Sequence, residues 1–260
     1  MSGLLKVYPR RKDYSLIPTF GATTDGLPDT FSVYGNQPIP NQNENDTRFP
    51  FLIPPLPEGC TGEAGAFESG IQDGTLYNPQ DLYLATPPGN PYAGRDMRAM
   101  LQTLIDRGVK DASGNLSPKR LAYFNCYGAG AIDDFDAARV GIWINQSEKR
   151  GVYIGSYWPW GDMPPAANLY VPMYSTTYPL HCYIATGWTP DGLEIIPWIG
   201  QHVGDSGKFY VSREIFNSLM AMPYTGAFTI TKQPSNAPIP VGYQAIIDHL
   251  TYLIRHLFDV

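Results

Sequence analysis

A chain of 260 residues, 43% of them hydrophobic, carries enough apolar mass for one large domain or two lobes sharing a cleft. Its net charge of −6 and lack of any basic run argue against nucleic-acid binding, and no stretch approaches the roughly 18 apolar residues of a membrane span. Charged residues are only 16% while aromatics reach 13%, with 26 Gly and 25 Pro, a mixture that fits long, ordered, irregular loops rather than disorder.

The opening residues Met1 to Lys6 contain no apolar core of a secretory leader, so synthesis in the cytoplasm without a signal peptide is expected. Residues 1–57 are rich in Pro, Asn, Asp and Gly. Pro54, Pro55 and Pro57 should hold their stretch extended. This segment reads either as an ordered strap lying on the domain or as a flexible linker.

From Ala64 a helix is expected through about Asp73, stopped by Gly74. Asn78-Pro79 reads as a cap followed by proline at the first helical position, leading into Leu82-Tyr83-Leu84. After Gly94-Arg95-Asp96, the positions Met97, Met100, Leu101, Leu104 and Ile105 make an amphipathic helix that Gly108 closes. Strands are expected at 140–144, 151–155, 182–186, 193–196 and 208–211, with a turn at Pro190-Asp191-Gly192. Helices first and strands second is an α+β arrangement. Past Pro234, Pro238 and Pro240, the residues Ile246, Ile247, Leu250, Leu253, Ile254 and Leu257 form one apolar stripe of a terminal helix. That helix either packs on its own domain or, behind its proline-rich tether, reaches a partner.

Cys60, Cys126 and Cys182 are an odd, sparse set, which points to a reducing compartment at synthesis and away from a disulfide framework. No Cys-x-x-Cys or His-x-x-x-His spacing supports a structural zinc, so neither metal nor cofactor is expected.

The run Glu58-Gly59-Cys60-Thr61-Gly62-Glu63-Ala64-Gly65-Ala66-Phe67 resembles the active-site loop of papain-like cysteine peptidases, in which Gln-Gly, three residues, Ser-Cys, two residues and Phe follow one another. The glycines and the phenylalanine are in register. Further on, His181-Cys182-Tyr183 through Gly187-Trp188 is similar to the family's His-Ala strand. The stretch from Pro197-Trp198 through Gly200, Gly204 and Gly207 is similar to its Asn-Ser-Trp-Gly segment. Arg10 to Asp29, Tyr77 to Tyr83 and Arg95 to Val109 add shorter matches in the same order, so the resemblance spans about residues 8 to 218.

A thiol peptidase needs a cysteine at a helix N-terminus, a histidine to hold the proton, a side-chain amide to orient the imidazole and an oxyanion donor. By the resemblance these positions are Ala64, His181, Pro197 and Glu58, and only His181 keeps its family identity. Three changes at separate positions point to a lineage released from catalysis, and the chain is therefore expected not to be an enzyme. The competing expectation is a displaced thiol: Cys60 paired with His181, in a cysteine peptidase or cell-wall amidase. Cys182 is less suited, because alternation along a strand turns it away from His181. Glu58 or Glu63 with His181 would make an acid–base pair, a rarer use of paired charges than a surface contact. Trp158, Trp160 and Trp198 are candidates to line the cleft or to cover the core between lobes.

The resemblance implies a papain-like two-lobe α+β fold, with a helical lobe at about 58–130 and an antiparallel β lobe at about 131–233. The strap 1–57 and the tether and helix 234–260 would flank it. It implies a degenerate peptidase relative similar to those encoded among the virion genes of tailed bacteriophages. The expected role is structural or binding, in a tail or baseplate, with other protein subunits as partners. A soluble peptide-binding pseudopeptidase is the remaining alternative.

Overall fold

In a computed structural model, residues 24–35, 59–88, 94–128, 130, 132–144, 150–157, 180–196 and 207–232 are described. The helix expected from Ala64 begins a turn earlier. It is α1, Cys60–Asp73, and it stops where Gly74 takes a left-handed φ of 66° and its N–H bonds back to Gly70. Helix α2, Pro79–Ala85, starts as its sequence predicts, with the Asn78 side chain accepting from the N–H groups of Gln80 and Asp81. Helix α3, Met97–Asp106, is capped by Asp96, whose carboxylate accepts from the N–H of Ala99. Met97, Met100, Leu101 and Leu104 are wholly buried on one stripe, while Ile105 sits at its margin.

Small residues bring these helices close. A methyl group at Gly62 would lie 2.6 Å from the carbonyl oxygen of Pro79 and 2.7 Å from Cβ of Tyr83. One at Gly65 would lie 2.6 Å from the sulfur of Met100. Asp81 of α2 holds the Arg107 guanidinium with both oxygens, at 2.8 and 2.7 Å, which fixes α2 against the end of α3.

Among the described residues, seven strands form one antiparallel sheet: β1 (Phe31–Ser32), β2 (Arg120–Asn125), β3 (Val152–Tyr157), β4 (Leu180–Thr189), β5 (Gly192–Ile196), β6 (Phe209–Ser212) and β7 (Gly226–Lys232). The order is β2-β7-β3-β4-β5-β6. Strands β4 and β5 are joined by the expected turn, where the Thr189 hydroxyl accepts from the N–H groups of Asp191 and Gly192. The first strand pairs beside the far half of β4, past the point where β3 ends, with Phe31 opposite Trp188 and Ser32 opposite Gly187. Of the segment 1–57, read as strap or linker, residues 24–35 pack on the sheet through β1, and the rest lies outside the described residues. Trp188 Nε1 donates to the carbonyl of Pro28 at 2.9 Å. Ser32 and Thr186 also donate to the buried Glu194, which Lys208 faces at 3.3 Å.

One expected strand is a helix. Residues 140–144 are the second half of α4, Asp134–Ile144. Asp133 caps its start by accepting from the N–H of Asp136, and Phe135, Ala138 and Ile142 recur at helical spacing, all buried. A short apolar run looks alike as buried strand or buried helix, and here the capping aspartate and the preceding Asp134-Phe135-Asp136 decide for helix. Gly141 makes room for Cys126, since a methyl there would lie 2.7 Å from its sulfur. Helix α5, Arg213–Met220, which the sequence reading did not anticipate, is capped by Ser212 and buries Phe216 and Leu219.

The sheet has a core on each face. Tyr153, Cys182, Ile184, Phe228 and Ile230 pack with Ala64, Leu82, Met100 and Leu104 of the first three helices. The alternate residues Ile154, Tyr183 and Ala185, and Trp188 beyond the register shift between Ala185 and Gly187, pack with Phe135, Ile142 and Phe216 of α4 and α5. Period-two alternation in β3 and β4 thus places α1 against one face of the sheet at β4.

Candidate functional site

The start of α1 carries the position where the sequence resemblance expects a nucleophile. Gly59 caps it without a side chain, and its carbonyl accepts from the N–H of Glu63 at 3.0 Å. Cys60, Thr61, Gly62 and Ala64 are all buried. Ala64 is wholly enclosed, in the apolar cluster that also holds Cys60, Leu180 and Cys182. A methyl group has neither a lone pair to attack with nor a proton to give. Glu63 sits in the same first turn, and burial pushes its carboxyl up to about 7.

On the other side of the junction, the first residues of β4 alternate. Cys182 turns into the cluster with Ala64, and its thiol is raised well above the ordinary range by burial and then by the charges of Cys60 and Glu63. His181 lies on the other face, half-exposed. Its ring stacks on Tyr183 at 6.4 Å with the planes 22° apart. Tyr183 and Ser156 share a hydrogen bond of 2.7 Å, and Ser156 stands opposite His181 in the pairing of β3 with β4. The expected alternation between His181 and Cys182 is thus what the strand shows. Of the expected site residues, the structure brings together Ala64 and Cys60, with Cys182 beside them. His181 is grouped instead with Tyr183 and Ser156. Glu58, Pro197, Trp158, Trp160, Trp198 and the stripe from Ile246 to Leu257 lie outside the described residues.

A second polar group escaped the sequence reading. Glu68, on the third turn of α1, is fully buried and accepts from the N–H of Gly151 at 2.9 Å and from Gln72 at 2.6 Å. Burial pushes its carboxyl up to about 7, against the pull of Arg150, the Gly151 N–H, Arg120 and Gln72. Five residues on, Asp73 binds Arg120 at 2.9 Å, with both side chains nearly or wholly enclosed, and accepts from the Tyr77 hydroxyl at 3.1 Å. Buried Arg150 donates to the carbonyl of Ile230. This seam ties α1 to β2, β3 and β7. Its only sequence signal is a pair of acids, Glu68 and Asp73, on the inward side of a helix of small residues. Among the described residues no three of His, Cys, Asp and Glu come together to hold a metal, and no helix is long and apolar enough to cross a membrane.

No protein-family model matches the chain, and no curated protein matches it. Solved structures do. The fold is similar to that of xylellain, a cysteine protease from Xylella fastidiosa, at a TM-score of 0.62 and 14% identity over 90% of this chain and 96% of that one. It is similar to a digestive procathepsin L2 proteinase from Tenebrio molitor larval midgut, at 0.58 and 15%, over 88% of this chain and 77% of that one. It is also similar to a cysteine protease from Carica candamarcensis in complex with E-64, at 0.54 and 14%, over 80% and 100%. The chain has a papain-like, two-lobe α+β fold.

These neighbours correct one expectation. The changes at Ala64 and Pro197 led to the reading that the chain is not an enzyme, yet the solved structures sharing its fold are cysteine proteases. The physical reason lies in how a site is built. A fold places a helix start beside a strand start without dictating which side chain does chemistry there, so one alanine at one position does not exclude activity. Here Cys60 stands one turn before Ala64.

Proposed function

We propose that this is a peptidase-related protein that holds a polypeptide segment in a papain-like cleft, as a subunit of a larger protein assembly, the tail or baseplate of a bacteriophage virion. The observation that carries this reading is the junction of α1 with β4. Ala64 stands there wholly enclosed among Cys60, Leu180 and Cys182, so the contact between the two supports of the cleft is apolar and close-packed. Such a junction makes a firm wall for binding by shape. The sequence adds the resemblance to virion-encoded papain-like proteins and a terminal apolar stripe, Ile246 to Leu257, suited to a partner chain. Fractionation of the native source tests the assembly. The protein is expected to sediment with assembled particles at a fixed copy number, and finding it only free in solution would overturn the reading.

A second reading has its own observation. Cys60 is the first residue of α1, at the end of the helix where a peptidase thiol is needed. A displaced thiol there would make the chain a cysteine peptidase or amidase, with His181, its expected partner, having to turn in from the opposite face of β4. Turnover of casein or of peptidoglycan fragments, abolished by Cys60→Ala, would establish it.

A further inference from the structure

We propose that Cys60 and Cys182 are a redox-sensitive dithiol that closes to a disulfide and staples the start of α1 to β4. Both lie in the one apolar cluster between that helix and the sheet, Cys60 5% exposed and Cys182 fully enclosed. Helix α1 packs directly on β4. On β3, the residue opposite Cys182 is Gly155, so no side chain from that strand crowds the thiol. The Cys182 thiol also senses the charge of Cys60. No disulfide joins the cysteines in this structure, which describes the reduced form. Cys126 is an internal control, since it packs in the cluster on the opposite face of the sheet.

The oxidant is a small-molecule disulfide. Cys60, at the helix start and the more accessible of the pair, attacks one sulfur as its thiolate and expels the first thiolate of the oxidant. Cys182 then gives up its proton and attacks the Cys60 sulfur of the mixed disulfide, expelling the second. Two protein thiols are oxidised, one external disulfide is reduced to two thiols, and the protons pass to the leaving groups. The bond would lock Ala64, one turn after Cys60, to the strand that carries His181. A chain made in a reducing compartment would thus stiffen its cleft after release into an oxidising one. This inference does not depend on what the cleft binds.

The test uses the full chain with oxidised glutathione. Cys60, Cys126 and Cys182 fall in separate tryptic peptides, so mapping without reduction reads the connectivity directly. The expected result is a mass loss of about 2 Da, a joined pair of peptides bearing Cys60 and Cys182, and a melting temperature raised by about 5–10 °C that reducing agent reverses. Cys126→Ser should form the same bond, and Cys60→Ser should not. Separate glutathione adducts on the two cysteines, a bond to Cys126, or thiols that stay fully reduced under excess oxidant would each overturn the proposal. The wild-type map stands even if a variant fails to fold.

Discussion

The carboxylate of Glu68, in the middle of α1, accepts a hydrogen bond from the backbone N–H of Gly151 at 2.9 Å, just before β3 begins. The helix and the sheet are therefore joined by a buried polar contact as well as by apolar packing. Removing the acceptor strands the Gly151 N–H and leaves Arg150 and Arg120 facing no carboxylate from this position. Glu68→Ala should cost about 1–3 kcal/mol in urea unfolding, as leaving a buried polar group without its partner does. Glu68→Gln keeps an acceptor and should cost less. Equal losses in the two variants would show that the side chain only fills space.

The carboxyl of Glu63 gives a pH dependence whose sign is fixed. Burial raises it from an ordinary 4.5 to about 7 in the folded chain, so the folded state prefers the protonated form. Its contribution is fully present below pH 4.5 and is lost as pH rises toward 7 and beyond. Glu63→Gln should flatten that decline, by an amount on the order of 1 kcal/mol because the side chain is only partly enclosed. Unfolding free energies measured between pH 4 and 8 check it. A difference between variant and wild type that does not change with pH would sink the assignment.

Asp81 titrates in the opposite sense. Burial pulls its carboxyl up, but the hydrogen bonds from Arg107 and the N–H of Lys110 outweigh burial and hold it below the usual range. Its stabilisation is present above the unfolded value and is lost as pH falls through the folded one. Asp81→Asn should cost about 1–2 kcal/mol at pH 7 and less at pH 3, because the pair is partly exposed and two-pronged. Chemical denaturation at both pH values reads the difference.

Two glycines of α1 should respond differently to alanine. At Gly62 the added methyl meets the Pro79 carbonyl at 2.6 Å, which is backbone and cannot step aside. At Gly65 it meets the side chains of Leu82 and Met100, which can turn. Overpacking costs about 1–3 kcal/mol, and alanine returns up to about 1 kcal/mol of helix propensity. Gly62→Ala should be clearly destabilising and Gly65→Ala much less so. The reverse order in urea midpoints would contradict the close packing of α1 on α2.

Removal of residues 241–260 tests the partner role of the apolar stripe. A folded domain with an unchanged melting temperature that no longer assembles is the expected outcome. Six apolar side chains at roughly 1.5–3 kcal/mol each can hold a partner after the cost of association. A truncated chain that melts early and aggregates would instead place the stripe in the domain's own core.

Local chemistry made much of the fold legible. Asn78-Pro79, Asp96 and Gly74 announce helix ends because capping is settled within a few residues. Likewise, the alternation of His181 and Cys182 follows from strand geometry alone. What the sequence hid depends on distant partners. Residues 140–144 have the composition of a strand and become helix because the Asp133 cap and the packing of Phe135, Ala138 and Ile142 act together. The arginines that meet Asp73 and Glu68 come from far along the chain, and no spacing rule reveals them. For the same reason the helix through Ala64 could be read from its neighbours, although it starts a turn earlier at Cys60, but the enclosure of Ala64 with Cys182 rather than with His181 follows from no local rule.

The pairing of β1 with β4 has a consequence for how the chain reaches this state. Phe31 and Ser32 leave the ribosome long before Trp188 and Gly187, the residues they must meet. Throughout that interval the first strand has no docking edge, and afterwards the far half of β4 waits without a neighbour on that side until it arrives. Closing so long a loop is paid in chain entropy before any contact returns it, which makes this docking a late event in folding. Until then Phe31 lacks the indole of Trp188 that it packs against, and a chain arrested at this stage would expose a sticky strand edge to its own copies.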